Sequence, residues 1–176
     1  QRKGIESIKE KGSGLLVYPT GAGKTVTAIK LAAELNLKTL FLVNTDVLVE
    51  QVQTEAGRLL NQEIGLIKGS VANIKDFTVA SVQTLVRNRA HLYANTFGLV
   101  FQDECHLAAA ETFQQVLSQL NAKYVVGLSG TPDDRTDGLG WLIYHSIGPL
   151  RHKVESSVLE KSGVILKPII REVKTS

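Results

Sequence analysis

The chain has 176 residues, 43% hydrophobic and 21% charged, enough for one well-cored domain and ordinary for a globular protein. No apolar run approaches the roughly 18 residues of a membrane span, and the N-terminus lacks a signal-peptide pattern. One cysteine excludes an internal disulfide and suits a reducing, intracellular setting (cytoplasm, nucleoid or nucleus); a net charge of +3 permits nucleic acid as a partner without arguing for it.

Gln1–Lys11 opens in helical pattern with Ile5 and Ile8 on one face, and Gly12-Ser13-Gly14 stops it. Leu15–Tyr18 is a short apolar run of the kind buried on both faces of a sheet. PTGAGK then turns the chain, and Thr25–Leu35 reads as a helix with Ile29, Leu31, Ala32 and Leu35 inward and Asn36 at its end. Thr39–Val43 is the next buried strand, and Thr45 or Asp46 caps a helix to about Leu60. Phe77–Ala80 reads as a strand, Val82–Arg87 as a short helix and Phe97–Gln102 as a strong strand. Thr112–Leu120 is a helix, Tyr124–Leu128 a strand, and Ser129-Gly130-Thr131-Pro132 a sharp exit loop.

Strands alternating with helices at this spacing predict an α/β fold, a mostly parallel sheet with helices on both faces. Right-handed crossovers put the C-terminal strand ends along one edge, where ligands of such sheets bind. The chain contains no methionine and ends on strand-like residues, Ile165–Val173, before Lys174-Thr175-Ser176. That pattern reads as a piece of something longer, cut in a linker.

YPTGAGKT, Tyr18 to Thr25, sits between a buried strand and a helix, the context that makes a phosphate-loop match credible. In Thr20-Gly21-Ala22-Gly23-Lys24-Thr25 the glycines let successive N–H groups curl inward, and the following helix adds its positive end. Lys24 is expected to reach the β- and γ-phosphates of a nucleoside triphosphate, and the Thr25 hydroxyl to hold Mg²⁺. One departure stands out: the strict pattern has Gly at position 18, where this chain has Tyr. The plainer alternative is a glycine-rich turn whose lysine faces solvent.

FGLVFQDECHLAAA, Phe97 to Ala110, places two acids, the only cysteine and a histidine side by side. A phosphate loop needs a second strand ending in a carboxylate for its metal, partly through water, and Asp103 is the first residue past such a strand. Glu104 can then position or deprotonate an attacking water. Zinc would want several Cys or His ligands at recurring spacing, which one Cys cannot supply. A Cys105–His106 nucleophilic pair is poor, because adjacent residues after a strand point apart. The thiol reads as a small buried side chain.

Asp-Glu-Cys-His following YPTGAGKT resembles the DExH-box helicases of superfamily two, with Ser129-Gly130-Thr131 in place of that family's Ser-Ala-Thr motif. TLFLVNTDVLVEQ (Thr39–Gln51) looks like motif Ia and TVASVQTL (Thr78–Leu85) like motif Ib. GLSGTPDDRTDGL…IGPL is most similar to the branch holding type III restriction subunits and excision-repair DNA translocases. The resemblance covers residue 1 to about Pro149. It implies a RecA-like domain over residues 1–150, with 151–176 an extension leading towards a second RecA-like domain.

The same resemblance implies ATP and Mg²⁺ as cofactors and nucleic acid as partner, DNA rather than RNA. Gln1 would read the adenine edge. Asn44, Thr45, Ser81 and Gln83 would contact the nucleic-acid backbone, although plain helix capping also suits Ser81, Gln83 and Thr84. His106, Ser129 and Thr131 would couple ATP state to nucleic-acid grip. Arg87 and Arg89 read as solvated basic surface. Arg135 and Arg151 read as loop residues, unlike an arginine finger. The finger belongs to the second domain, so this domain alone is expected to turn over little ATP. An RNA-directed DExH ATPase, or a nucleic-acid sensor or scaffold with poor hydrolysis, remains the alternative.

Overall fold

The structure, a computed structural model, describes residues 1–19, 21–87, 89–105, 110–130 and 140–155. The elements in order are α1 (Arg2–Lys11), β1 (Gly14–Val17), α2 (Lys24–Leu35), β2 (Thr39–Val43), α3 (Asp46–Leu60), β3 (Gly65–Lys68), β4 (Val71–Asn73) and β5 (Phe77–Ser81). There follow α4 (Val82–Val86), a 3₁₀ turn (Ala90–Tyr93), β6 (Leu99–Gln102), α5 (Ala110–Leu117), β7 (Tyr124–Ser129), α6 (Gly140–Ile147) and β8 (Leu150–Lys153). One eight-stranded sheet runs β4-β3-β5-β2-β6-β7-β1-β8. Among the described residues only the β3–β4 pair is antiparallel.

Alternation within the strands builds two cores. Leu16, Phe41, Val43, Val79, Phe101 and Leu128 face α1, α2 and α3, which supply Ile5, Ile8, Ile29, Leu31, Val49 and Val52. On the opposite face Leu40, Leu42, Ala80 and Val100 meet Leu85 of α4, Tyr93 and Phe97, with Phe113 and Val116 of α5. Every residue of β1, β2, β5 and β6 is buried, the mark of strands covered on both sides. The fold is the α/β architecture that the element pattern predicts, a mostly parallel sheet with helices on both faces, and it agrees with the RecA-like domain that the resemblance implies.

Several boundaries differ from the sequence expectation. Phe97 and Gly98 precede β6 instead of opening it. The Gly98 N–H is already spent on the Lys38 carbonyl, and Phe97 packs on Tyr93. Helix α5 stops at Leu117, because Gln119 and Leu120 donate to residues three back, a tightened final turn. The strand β8 pairs parallel with β1, so the sheet continues through position 150 to Lys153. Among the described residues no helix is long and apolar enough to cross a membrane.

Candidate nucleotide site

The predicted phosphate loop leaves β1 at the C-terminal edge of the sheet. Tyr18 N–H donates to the Ser129 carbonyl at 2.9 Å, which pins the start of the loop to the end of β7. Ala22 N–H returns to the Pro19 carbonyl at 3.0 Å, a turn in which Gly21 takes a left-handed φ of +79°, and Gly23 takes one of +80° just beyond it. Gly23 is also the N-cap of α2, whose Thr27 bonds back to the Gly23 carbonyl through both N–H and hydroxyl. Lys24 and Thr25 therefore open α2, with the free N–H groups of its first turn beside them.

The acids arrive from β6, two strands away, across β7. Asp103 N–H donates to the Leu42 carbonyl, and its Oδ1 accepts from Glu104 N–H at 3.0 Å. Glu104 takes a positive φ of +45°, uncommon for a non-glycine residue and concentrated at functional turns. That turn aims its carboxylate at the loop, where Oε1 accepts from Lys24 Nζ at 2.5 Å. The two side chains are only 12% and 26% exposed, so their attraction is weakly screened.

Asp103 is 6% exposed. Burial, then the neighbouring Glu104 charge, pushes its carboxyl up to about 6, against the pull of Lys24 and the Glu104 N–H. A buried carboxylate beside a second one is a site short of positive charge. The Thr25 hydroxyl, Asp103 and incoming phosphate oxygens form a donor set suited to a hard divalent cation that keeps most of its waters. Among the described residues no cluster of three or more His, Cys, Asp or Glu could hold a metal without them. Cys105 is 1% exposed against Leu15 and Ile147, and burial raises its thiol to about 12.

The other candidates fall in two groups. Gln1 lies against the loop: its Nε2 donates to the Ala22 carbonyl at 3.2 Å. Asn44, Thr45, Ser81 and Gln83 sit together past the adjacent ends of β2 and β5, where Val43 pairs with Ser81. Thr45 caps α3, its hydroxyl accepting from Leu48 N–H, so capping occupies part of its bonding capacity. Ser81 donates to Gln83 Oε1 and Gln83 Nε2 donates to the Asn44 carbonyl, both at 2.9 Å, instead of capping α4. Thr84 accepts from Gly69 N–H and is nearly buried. Ser129 is fully buried between the loop and the acids. Thr20, His106 and Thr131 lie outside the described residues.

Two placements escaped the sequence. Arg151 is in β8, not in a loop, and its guanidinium donates to the carbonyls of Lys11 (2.7 Å) and Ser13 (2.8 Å), ending α1. Gln102, at the end of β6, buries an Oε1 that has no hydrogen-bond partner among the described residues. A polar residue closing an otherwise apolar strand was its only signal.

Comparison with known proteins gives this geometry a family. A protein of Acanthamoeba polyphaga mimivirus named as an ATP-dependent RNA helicase is 35% identical over 154 residues, covering 86% of this chain and 30% of its own. A Kineococcus radiotolerans protein named DNA 3'-5' helicase XPB is 30% identical, covering 100% of this chain and 33% of its own. The chain thus spans about a third of the length of these relatives. In fold it is similar to the UvsW helicase of bacteriophage T4, with a TM-score of 0.69 and 23% identity over 86% of this chain and 57% of that one. The profile of the family described as type III restriction enzyme, res subunit, matches residues 1–134, and the chain belongs to that family.

Proposed function

We propose that this chain is the ATP-binding motor domain of an ATP-dependent DNA helicase or translocase, coupling hydrolysis to movement on nucleic acid. The observation that carries the reading is the Lys24–Glu104 pair beside Asp103, past the ends of β1 and β6 on either side of β7. In this arrangement the loop N–H groups and Lys24 bind the phosphates, and Thr25 with Asp103 would hold Mg²⁺, which would supply positive charge against the negative charge of the phosphates. On binding, Lys24 exchanges Glu104 for phosphate oxygens. The Glu104 carboxylate then takes a proton from the attacking water. Gln1, already at the loop, selects adenine.

The domain works, on this reading, with a second RecA-like domain of the same chain; the greater length of the relatives supports this. That domain supplies an arginine finger, worth about 10³ to 10⁵ in rate, so the present chain alone binds ATP–Mg²⁺ weakly and hydrolyses it barely. His106, Ser129 and Thr131 relay ATP state to Asn44, Thr45, Ser81 and Gln83 on the nucleic-acid side. The setting is intracellular, in cytoplasm, nucleoid or nucleus.

DNA is the preferred track, because a relative that aligns with the whole chain is named for it. RNA is the alternative, from the name of the mimivirus relative. ATPase activity of the full-length protein, compared on double-stranded DNA, single-stranded DNA and RNA, tests the assignment. The expected result is stimulation by DNA above RNA, abolished by Lys24→Ala. Stimulation by RNA alone selects the alternative, and brisk turnover insensitive to all three removes the motor reading.

A further inference from the structure

We propose that Tyr18 and Gly4 form a steric lock that sets the position of α1 and, through it, the preference of Gln1 for adenine. The inference rests on the nucleotide-binding reading above. Tyr18 occupies the position that the strict phosphate-loop pattern gives to glycine, and it is fully buried. Its N–H is fixed to the Ser129 carbonyl, so its backbone cannot shift away from the loop. Its ring reaches back under α1, where a Cβ on Gly4 would lie 2.0 Å from the hydroxyl oxygen. The hydroxyl fills the space of a missing side chain.

Two local rules are broken at this contact. Glycine inside a helix weakens it relative to alanine. The buried Tyr18 hydroxyl has no hydrogen-bond partner among the described residues, a desolvation cost without return. The close approach accounts for both, and paired violations of this kind mark functional positions.

The contact bears directly on Gln1. The Gly4 N–H bonds to the Gln1 carbonyl, so the two residues share the first turn of α1. Gln1 Nε2 occupies space at the loop that only a glycine leaves open: a Cβ on Gly23 would come within 2.4 Å of it. The far end of α1 has no slack, because Ser7 Oγ donates to the Arg151 carbonyl and Arg151 donates to the Lys11 carbonyl. A push at Gly4 must therefore tilt the end that carries Gln1. Tyr18 acts as a positioning residue, not a catalytic one.

Equilibrium binding of ATP–Mg²⁺ and GTP–Mg²⁺ to the full-length protein tests the lock in Gly4→Ala, Tyr18→Phe, the double variant of these two, Gln1→Ala, and Gln1→Ala combined with Gly4→Ala. Gly4→Ala should lower the preference for ATP over GTP roughly tenfold, the worth of about one well-made hydrogen bond, with GTP affinity unchanged. Tyr18→Phe, which keeps the ring and the fold, should lower it less. The double variant should lie closer to wild type than Gly4→Ala, because removing the oxygen makes room for the methyl group. Gly4→Ala should add nothing to Gln1→Ala.

Unchanged preference in Tyr18→Phe, equal loss of ATP and GTP binding in Gly4→Ala, or strictly additive effects overturn the lock. So does a wild type that binds both nucleotides alike. If the wild type binds neither and Lys24→Ala changes nothing, the nucleotide-binding reading itself fails and the lock with it.

Discussion

Lys24 and Glu104 are paired at 2.5 Å across the end of β7, tying the glycine-rich loop after β1 to the acids after β6. The pair brings together two mostly buried charges of opposite sign. Removing one partner leaves an uncompensated charge in a poorly solvated site.

Glu104→Gln should therefore separate binding from chemistry in the full-length protein. The amide can still accept from Lys24 but cannot serve as a base, so nucleotide binding is retained while hydrolysis falls by about 10² to 10⁴. Asp103→Ala should instead weaken the Mg²⁺-dependent part of binding. Nucleotide titrations with and without Mg²⁺, beside single-turnover rates, distinguish the two. Identical behaviour of both variants would show that the roles are not divided this way.

The raised Asp103 carboxyl predicts a pH dependence with a definite sign. Its folded value of about 6 lies above the ordinary 3.8, so between the two the folded state binds more protons than the unfolded. Stability of the nucleotide-free protein thus falls as pH rises through that window, and the deficit is complete above pH 6. Two units correspond to at most about 3 kcal/mol. Asp103→Asn should raise the Tm of the nucleotide-free protein at pH 7.5 and leave it nearly unchanged at pH 4. Wild type should bind ATP–Mg²⁺ more tightly as pH rises past 6, and the same substitution should remove that tightening. A Tm gain of equal size at both pH values would refute the electrostatic cause.

Cys105 should be chemically quiet. Its thiol is buried against Leu15 and Ile147 and held near 12, so little thiolate exists at pH 8. Alkylation by iodoacetamide should be negligible in the native protein and complete after unfolding. Cys105→Ala should cost about 1 kcal/mol of stability and leave ATPase activity intact. Native labelling at the rate of a free thiol would count against this environment.

The parts of the fold that could be read in advance are those whose signal is local. Buried runs such as Leu40–Val43 and the cap at Thr45 announce themselves within a few residues. The hairpin of β3 and β4 does not: β4 is wholly exposed, so Val71-Ala72-Asn73 carries no hydrophobic period. Strand β8, Leu-Arg-His-Lys, is a strand only because β1 offers an open edge to pair with. Helix α6 begins at a glycine, where propensity argues for a break. The site divides in the same way. Gly21, Gly23 and Lys24 form a contiguous motif, and Asp103 follows a strong strand. The meeting of Tyr18 with Gly4, or of Arg151 with Lys11, spans distant parts of the chain and exists only once the sheet is assembled.

Nucleic-acid binding by the full-length protein should be insensitive to base sequence and strongly salt-dependent. The candidate contacts lie along one edge, past the ends of β2 and β5, and are hydroxyls, amides and backbone groups suited to phosphates rather than base edges. Gln83 braces this edge by bridging Ser81 and the Asn44 carbonyl, so Gln83→Ala should loosen the Asn44 loop and weaken binding without changing the sequence preference. A motor must also release and rebind at every step, and base-specific anchors would stall it. Neutral contacts release no counterions, so the salt slope must come from Lys and Arg, each neutralised phosphate adding roughly 0.7 to 0.9. Replacing Asn44 and Thr45 together should therefore weaken binding about equally on all sequences and leave that slope nearly unchanged. Affinities on several unrelated oligonucleotides across a salt series check both halves of the expectation. A large loss confined to one sequence would mean that these residues read bases, which a translocating motor cannot afford to do.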